Sequence, residues 1–270
     1  MTQSTLRRWG PWLALVVLFS IATSLLSWWQ FSRRIERVEK INTVIENYDS
    51  ATVGLADVPW VFLDSGEPKN EWRPVEVTGS YILEEAVLVR NRPLSGQSGF
   101  VQVVPFLMAD GQILLVERGW LPTGQEFTQP QSNPMPDSGT HDLVVRLRAA
   151  EADRQRDAVP GQLASIHPAS LDQALDGKGS LITEYYGRLA SERPGYADAP
   201  MPMPKPSLNE GNHLSYAFQW IIFGIMAFIA FGWAVRNERR IQRELSGKQA
   251  PKKPKNTQAL QDAIFEDANQ

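Results

Sequence analysis

No cysteine occurs among the 270 residues. That absence excludes disulfide scaffolds, thiolate catalysis, iron–sulfur clusters, CxxC redox chemistry and covalent c-type haem. Histidine is nearly as scarce: His141, His167 and His213 are the only three, too few for a zinc site built from several imidazoles. No GxSxG elbow, P-loop or GxGxxG is present, and carboxylates such as Glu84 and Glu85 are neighbours that point to opposite faces of a strand. The chain is therefore read as a non-enzyme. Charge, finally, is missing from two long stretches, the 24 residues Trp9 to Ser32 and the 25 residues Gly211 to Val235. A helix of roughly 20 mostly apolar residues spans the hydrocarbon core of a bilayer, so each stretch reads as a membrane span.

The first span follows Arg7 and Arg8 and ends at Trp28-Trp29-Gln30, where paired indoles suit the membrane interface. Ser20-Ile21-Ala22 is a small-x-small triplet of the kind a signal peptidase uses, yet the apolar run continues about seven residues beyond it, longer than an ordinary signal sequence. An uncleaved anchor is expected. Too few residues precede it for an Arg- and Ser-rich transit peptide, which favours a bacterial inner membrane over a mitochondrial one. The second span is followed by Arg236, Arg239, Arg240, Arg243, Lys248, Lys252, Lys253 and Lys255. Cations next to a span are retained on the cytoplasmic side, so both termini are expected there and the long loop outside, in the periplasm. The resulting division is a cytoplasmic arm (1–10), a first span (11–31), a periplasmic domain (32–212), a second span (213–235) and a basic, mostly disordered cytoplasmic tail (236–270), with a short apolar set at Leu260, Ile264 and Phe265.

Charge follows that division. The loop carries 17 Lys and Arg against 25 Asp and Glu, net −8, whereas the arm is +2 and the tail +3. An acidic domain argues against nucleic acid as a partner, because such binding needs basic surface to displace counterions. The tail needs only anionic membrane lipid as its counterpart.

Strand signals dominate the first half of the loop. Val75, Val77 and Tyr81 alternate with polar residues, and short apolar or β-branched runs follow at 86–89, 100–104, 113–116 and 143–147. Turn residues separate them at 95–99, 109–111 and 129–139. The expected fold is α+β: two transmembrane helices flanking a mainly antiparallel curved sheet or small barrel, with helices only at its edge, at 33–48 and 168–175. His141 and His167 read as solvated turn residues. The loop closes on Ala199-Pro-Met-Pro-Met-Pro-Lys-Pro206, which is extended because proline forbids a helix there.

His213 stands at the outer end of the second span, where an ionisable side chain is costly. Tyr216, Ala217, Trp220 and Gly224 follow on the same helical face. Two readings stand: an interfacial histidine among belt aromatics, or an axial haem ligand over a small residue and flanked by aromatic rings. Trp28, Trp29, Gln30, Arg33 and Arg34 lie at the same level if both spans end at one surface. Their arginines suit haem propionates or lipid phosphate equally well. Ser20, Ser24 and Ser27 read as the face of the first span that packs on the second.

Several motifs occur in one order: Trp29-Gln30-Phe31-Ser32-Arg33, Val87-Leu-Val-Arg-Asn-Arg-Pro93 with Gly96 and Gly99, Val103-Val-Pro-Phe106, Val116-Glu-Arg-Gly-Trp-Leu-Pro122 and Asn212-His-Leu-Ser-Tyr-Ala-Phe-Gln-Trp220. In this order, and with two flanking anchors, the chain from about Leu26 to Trp233 resembles the surfeit locus protein 1 family of cytochrome c oxidase assembly factors. Gly211-Asn212 replaces the asparagine pair usual before the histidine. The resemblance implies non-covalent, transient binding of haem a and help with its insertion into the catalytic subunit of the oxidase, with haem a synthase as a further partner. It makes His213 the axial ligand of the iron and Trp220 a matching tryptophan; the helical face adds Tyr216, and the facing span Arg33, Gln30 and Trp29, as candidate cofactor contacts. A second axial ligand could come from another copy of the chain, in a homo-oligomer. The alternatives are a cofactor-free scaffold that holds oxidase subunits and, on Met201 and Met203, copper delivery.

Overall fold

The computed structural model describes residues 3–60, 68–126, 128–154 and 159–247. They divide into two compact units, one formed by the residues up to 35 together with those from 211 on, the other by residues 36–210.

The first unit is a helical hairpin. Its first arm is the N-terminal part of α1 (Gln3–Asn47), a continuous helix with Pro11 in its early turns, and its second arm is α2 (His213–Leu245). Both helices are long and apolar enough to cross a membrane. Their apolar side chains are largely exposed, as at Trp12, Leu18 and Ile229, so they are not the buried core helices of a soluble domain. The second helix does not stop at Val235. Arg236 to Leu245 continue it, because these residues are good helix formers with i,i+4 partners, Gln242 to Glu238 and Arg240 to Glu244, and the helix ends where Gly247 takes a positive φ. The rest of the expected disordered tail, with Leu260, Ile264 and Phe265, lies outside the described residues.

The arms pack through small residues. Ser27 Oγ donates to Ala217 O at 3.0 Å, and Gly224 leaves room for Thr23, whose Oγ1 would stand 2.9 Å from a Cβ at that position. Small residues let helix backbones approach closely. Ser20 and Ser27 thus belong to the packing face as expected. Ser24 does not: it is exposed, its hydroxyl donates back to Ser20 O, and Thr23 takes its place. Ring contacts between Phe31 and Phe218 and between Trp9 and Phe231, with an Arg8–Glu238 ion pair, fix an antiparallel register.

The second unit is built on one nine-stranded sheet: β1 (Val53–Gly54), β2 (Pro74–Tyr81), β3 (Val87–Val89), β4 (Gly99–Met108), β5 (Gln112–Pro122), β6 (Thr140–Ala149), β7 (Gln162–Leu163), β8 (Ser180–Leu181) and β9 (Tyr185–Arg193). Five of these, in the order β2-β6-β9-β5-β4, close into a barrel where Gly79–Tyr81 of β2 pair with Phe106–Met108 of β4. β6 shows the period-2 burial of a strand with one covered face. β4 and β5 are buried on both faces, which explains their unbroken apolar runs. One face fills the barrel with Val75, Val77, Phe106, Leu114, Val116, Leu143 and Leu147. The other meets an outer layer of Val89, Ile113, Leu115, Trp120, Ile166 and Leu175, covered by β3, β7 and a single 3-10 turn, Pro168–Leu171. That turn replaces the helix expected over 168–175, since Gly177 and Gly179 leave it too short to propagate.

The end of α1 belongs to this unit, with Ile41 and Val44 buried and the Asn47 amide donating to Lys69 O and Glu71 O. The proline-rich return segment is held at one point: Met201 exchanges both backbone hydrogen bonds with Trp120, at 2.7 and 2.9 Å. Gly119 makes this possible, having a φ of +152° and carbonyl oxygen Met201 O only 2.6 Å from where a Cβ would sit. Trp120 is buried and donates its indole N–H to Arg92 O. The Arg118-Gly119-Trp120 motif is therefore packing, as its strand-ending tryptophan suggests.

Candidate functional site

His213 is the first residue of α2, half-buried, and its Nδ1 lies 2.9 Å from Gln30 Oε1 on the facing arm of the hairpin. The other ring nitrogen, Nε2, has the exposed Gly211 beside it: a Cβ there would stand 3.4 Å from Cδ2 and 3.6 Å from Nε2. Glycine, at a φ of +76°, thus leaves that edge of the imidazole uncovered.

The other sequence-predicted residues surround this pair unevenly. At 100° per residue, Tyr216 and Trp220 fall to one side of the Ala217–Gly224 contact line and Phe218 to the other. On α1 the same construction puts Gln30 and Arg33 on the flank of Tyr216 and Trp220, while Phe31 meets Phe218 on the opposite flank, 6.0 Å between ring centroids. Tyr216 is 49% exposed, and Trp220 packs edge-on against Phe223. Trp29, 47% exposed, is turned furthest from α2, with the Arg33 guanidinium 5.8 Å from its ring. The structure thus brings Gln30 and His213 into direct contact and leaves Tyr216, Trp220, Trp29 and Arg33 as a rim of rings and one guanidinium.

This donor set does not make a multi-ligand metal centre. Among the described residues no group of three or more His, Cys, Asp and Glu side chains converges. A metal held at His213 must bring its other ligands with it, as a porphyrin iron does. Met201 and Met203 add little, since Met203 packs against the outer core of the β unit.

A second polar cluster, not anticipated from the sequence, sits at one end of the barrel. Arg118 donates to Gln102 Oε1 at 2.7 Å and to Glu192 Oε1 at 2.8 Å, and Tyr81 donates to Glu192 Oε2 at 2.9 Å. The guanidinium lies 5.4 and 5.7 Å from the ring centroids of Tyr81 and Tyr196. Gln102 donates in turn to Asn133 Oδ1 and Pro134 O, tying the loop over the barrel end. His141 belongs here and is no solvated turn residue. It lies in β6, 2% exposed, with Nε2 at 3.1 Å from Asp137 O, because pairing with Gly79 carries it into the sheet. His167 is half-buried, its Nδ1 2.9 Å from Glu151 O. Arg118, Gln102, Glu192 and Tyr81 bind one another as a structural plug, in which Arg118 Nε and His141 Nδ1 stay buried without a partner.

The phenols of Tyr81 and Tyr186 are held well above the ordinary tyrosine range by burial, reinforced by Glu192 for Tyr81 and Glu117 for Tyr186. Below the unfolded value of about 10 both are neutral in folded and unfolded chains alike, so they confer no pH dependence. Above it the unfolded chain loses protons that the folded domain keeps, and stability falls. Thermal melting of the protein is accordingly expected to move to lower temperature as the pH passes about 10, and a flat profile through about pH 11 would contradict the burial of these rings.

The fold and site define a protein in which two apolar helices flank a five-stranded barrel domain along the chain, with a half-buried imidazole at the start of the second helix facing Gln30 of the first. The chain matches the SURF1 family over residues 17–225 and belongs to that family, which is known for oxidase assembly factors. It is 29% identical over 250 residues to an uncharacterized SURF1-like protein of Mycobacterium tuberculosis, with 90% of each chain covered. A SURF1-like protein of Rickettsia bellii is 24% identical over 223 residues, covering 78% of this chain and 85% of that relative.

Proposed function

We propose that this protein is an assembly factor for haem–copper cytochrome c oxidase that carries haem a non-covalently on His213 and hands it to the catalytic subunit. The observation that carries this reading is the imidazole of His213, engaged at Nδ1 and open at Nε2, in a chain where no group of three or more His, Cys, Asp and Glu side chains converges among the described residues. Haem supplies four equatorial nitrogens of its own and needs from the protein an axial donor and a shaped, largely apolar surround. Trp220 and Tyr216 supply flat apolar contact, and Arg33 a cation for propionates. In this reading α1 and α2 cross a bacterial inner membrane, both termini are cytoplasmic, and the acidic barrel domain lies in the periplasm. Haem a synthase is the source of the cargo, and a second copy of the chain can provide the other axial ligand.

The test is spectroscopic. Full-length protein purified in detergent from cells that make haem a is expected to show a Soret band, and His213→Ala to lose most of it. Full haem occupancy in that variant would remove His213 from its role. Copurification of oxidase subunits with no haem at any stoichiometry would replace the carrier reading by a scaffold.

A further inference from the structure

Resting on that reading, we infer that Gln30 sets the proton of His213 on Nδ1 and, being a neutral acceptor, makes His213 a ligand that releases haem. Amide oxygen can only accept, so a 2.9 Å contact between Gln30 Oε1 and the ring Nδ1 requires the proton to sit on Nδ1. Nε2 then carries the lone pair. It is also the nitrogen beside Gly211, which has no side chain to cover that ring edge; a Cβ there would lie in ordinary contact, 3.4 Å from Cδ2 and 3.6 Å from Nε2. Tautomer and access therefore point the same nitrogen outward.

The chemistry of the acceptor decides the strength of the bond to iron. A metal-bound histidine usually donates its other N–H to a carboxylate or a carbonyl, and a carboxylate raises the basicity of the ligating nitrogen. Resident metal sites gain from that. A carrier does not, because any strengthening of the axial bond slows delivery. Gln30 has the shape of glutamate without its charge. It orients the imidazole without pushing electron density toward the metal. Carboxylates are plentiful in this chain, yet the position facing His213 holds an amide. Gln30 is thus a positioning residue, acting through His213.

Two substitutions separate orientation from charge. Gln30→Leu removes the acceptor and is expected to lower haem affinity about 10–100-fold, the usual effect of losing such a partner. Gln30→Glu keeps the acceptor and adds charge. It is expected to slow haem loss by about tenfold, the low end of the same range, and to lower the midpoint potential of the bound haem. Haem dissociation is read as transfer to excess apomyoglobin from full-length protein in detergent. Independently of haem, nitrogen NMR of the histidine-labelled apoprotein is expected to show His213 protonated at Nδ1, and a tautomer mixture in Gln30→Leu. A proton on Nε2 in the unsubstituted apoprotein would overturn the inference, since the amide would then be donating to Nδ1 and the ligand position would be blocked. Equal dissociation rates and potentials for the unsubstituted protein and the Gln30→Glu variant would overturn the release argument. If the unsubstituted protein takes up no haem while its His213 is protonated at Nδ1, the carrier reading fails, and the release argument with it. That result is distinct from a failure of the tautomer assignment.

Discussion

Glu192→Ala is expected to destabilise the barrel domain by about 3–5 kcal/mol, the cost typical of removing one partner from a buried ion pair. The Arg118 side chain is 1% exposed and that of Glu192 6%, so water cannot replace the lost carboxylate. One guanidinium nitrogen would still reach Gln102, but Arg118 Nε already has no hydrogen-bond partner. The loss therefore falls on a group with little reserve. Tyr81 would lose its acceptor at the same time, leaving a phenol buried and unpaired. A second consequence concerns the loop over the barrel end. Gln102 and Arg118 hold Pro134 O, and Gln102 holds Asn133, so a displaced Arg118 releases that loop to proteases before the barrel unfolds globally. Urea unfolding of the full chain, together with limited proteolysis mapped to residues 129–139, checks both effects. The double variant Arg118→Met with Glu192→Leu is expected to recover much of the loss, because a buried pair replaced on both sides by apolar groups leaves no orphaned charge. If Glu192→Ala melts like the unsubstituted protein, Arg118 is not buried as described.

The polar plug shows why part of the domain was illegible in the sequence. β2 to β6 were readable because each buries a continuous or alternating apolar set, which is the signal periodicity can detect. β9 was not. It reads Tyr-Tyr-Gly-Arg-Leu-Ala-Ser-Glu-Arg, and two of its covered positions are charged because they meet charges on the neighbouring strand β5: Arg188 pairs with Glu117, and Glu192 with Arg118. A shift of register between Val144 and Val145 further breaks its alternation. β9 is nevertheless the strand that joins β6 to β5, so the barrel could be expected only as a curved sheet or a barrel of unspecified closure. His141 was misread for a related reason, since Asp137-Ser-Gly-Thr140 ahead of it looks like a turn whereas the ladder already starts at Thr140.

The helical hairpin was legible for the opposite reason. Freedom from charge over 24 and 25 residues is a one-dimensional property and needs no knowledge of neighbours. His213 stood out as a histidine at the head of its run, but Gln30 could be singled out only by its place in a motif and its level at the end of the facing span. Its contact with His213 joins residues 183 positions apart, and nothing in local pattern specifies a partner at that distance. The same limit applies to Thr23, which shares the helix-packing face although the serine spacing pointed to Ser24.

Gly79→Ala is expected to open the barrel. Gly79 is the first residue of the three-residue pairing between β2 and β4, and it is paired with His141 of β6 on its other side. A Cβ at this position would collide with the Leu107 carbonyl oxygen and stand 2.9 Å from Phe106 Cε1. The atoms in the way are backbone and a buried ring, so no flexible side chain can swing aside. Either β2 withdraws from β4, forfeiting the closure, or the substituted strand shifts against β6. Overpacking of a tight core costs about 1–3 kcal/mol when side chains can adjust; with backbone as the obstacle, a loss at or above the top of that range, about 3 kcal/mol, is expected. Gly111→Ala provides the control. Gly111 has a φ of +81° with nothing within 4 Å of its Cβ position, so its substitution meets only conformational strain of roughly 1 kcal/mol. Hydrogen exchange locates the damage: in Gly79→Ala, protection should fall first in 79–81 and 106–108, whereas Gly111→Ala should leave those amides slow. Equal and small losses of stability in the two variants would mean that the β2–β4 seam is not closed, and that the five strands form an open, curved sheet.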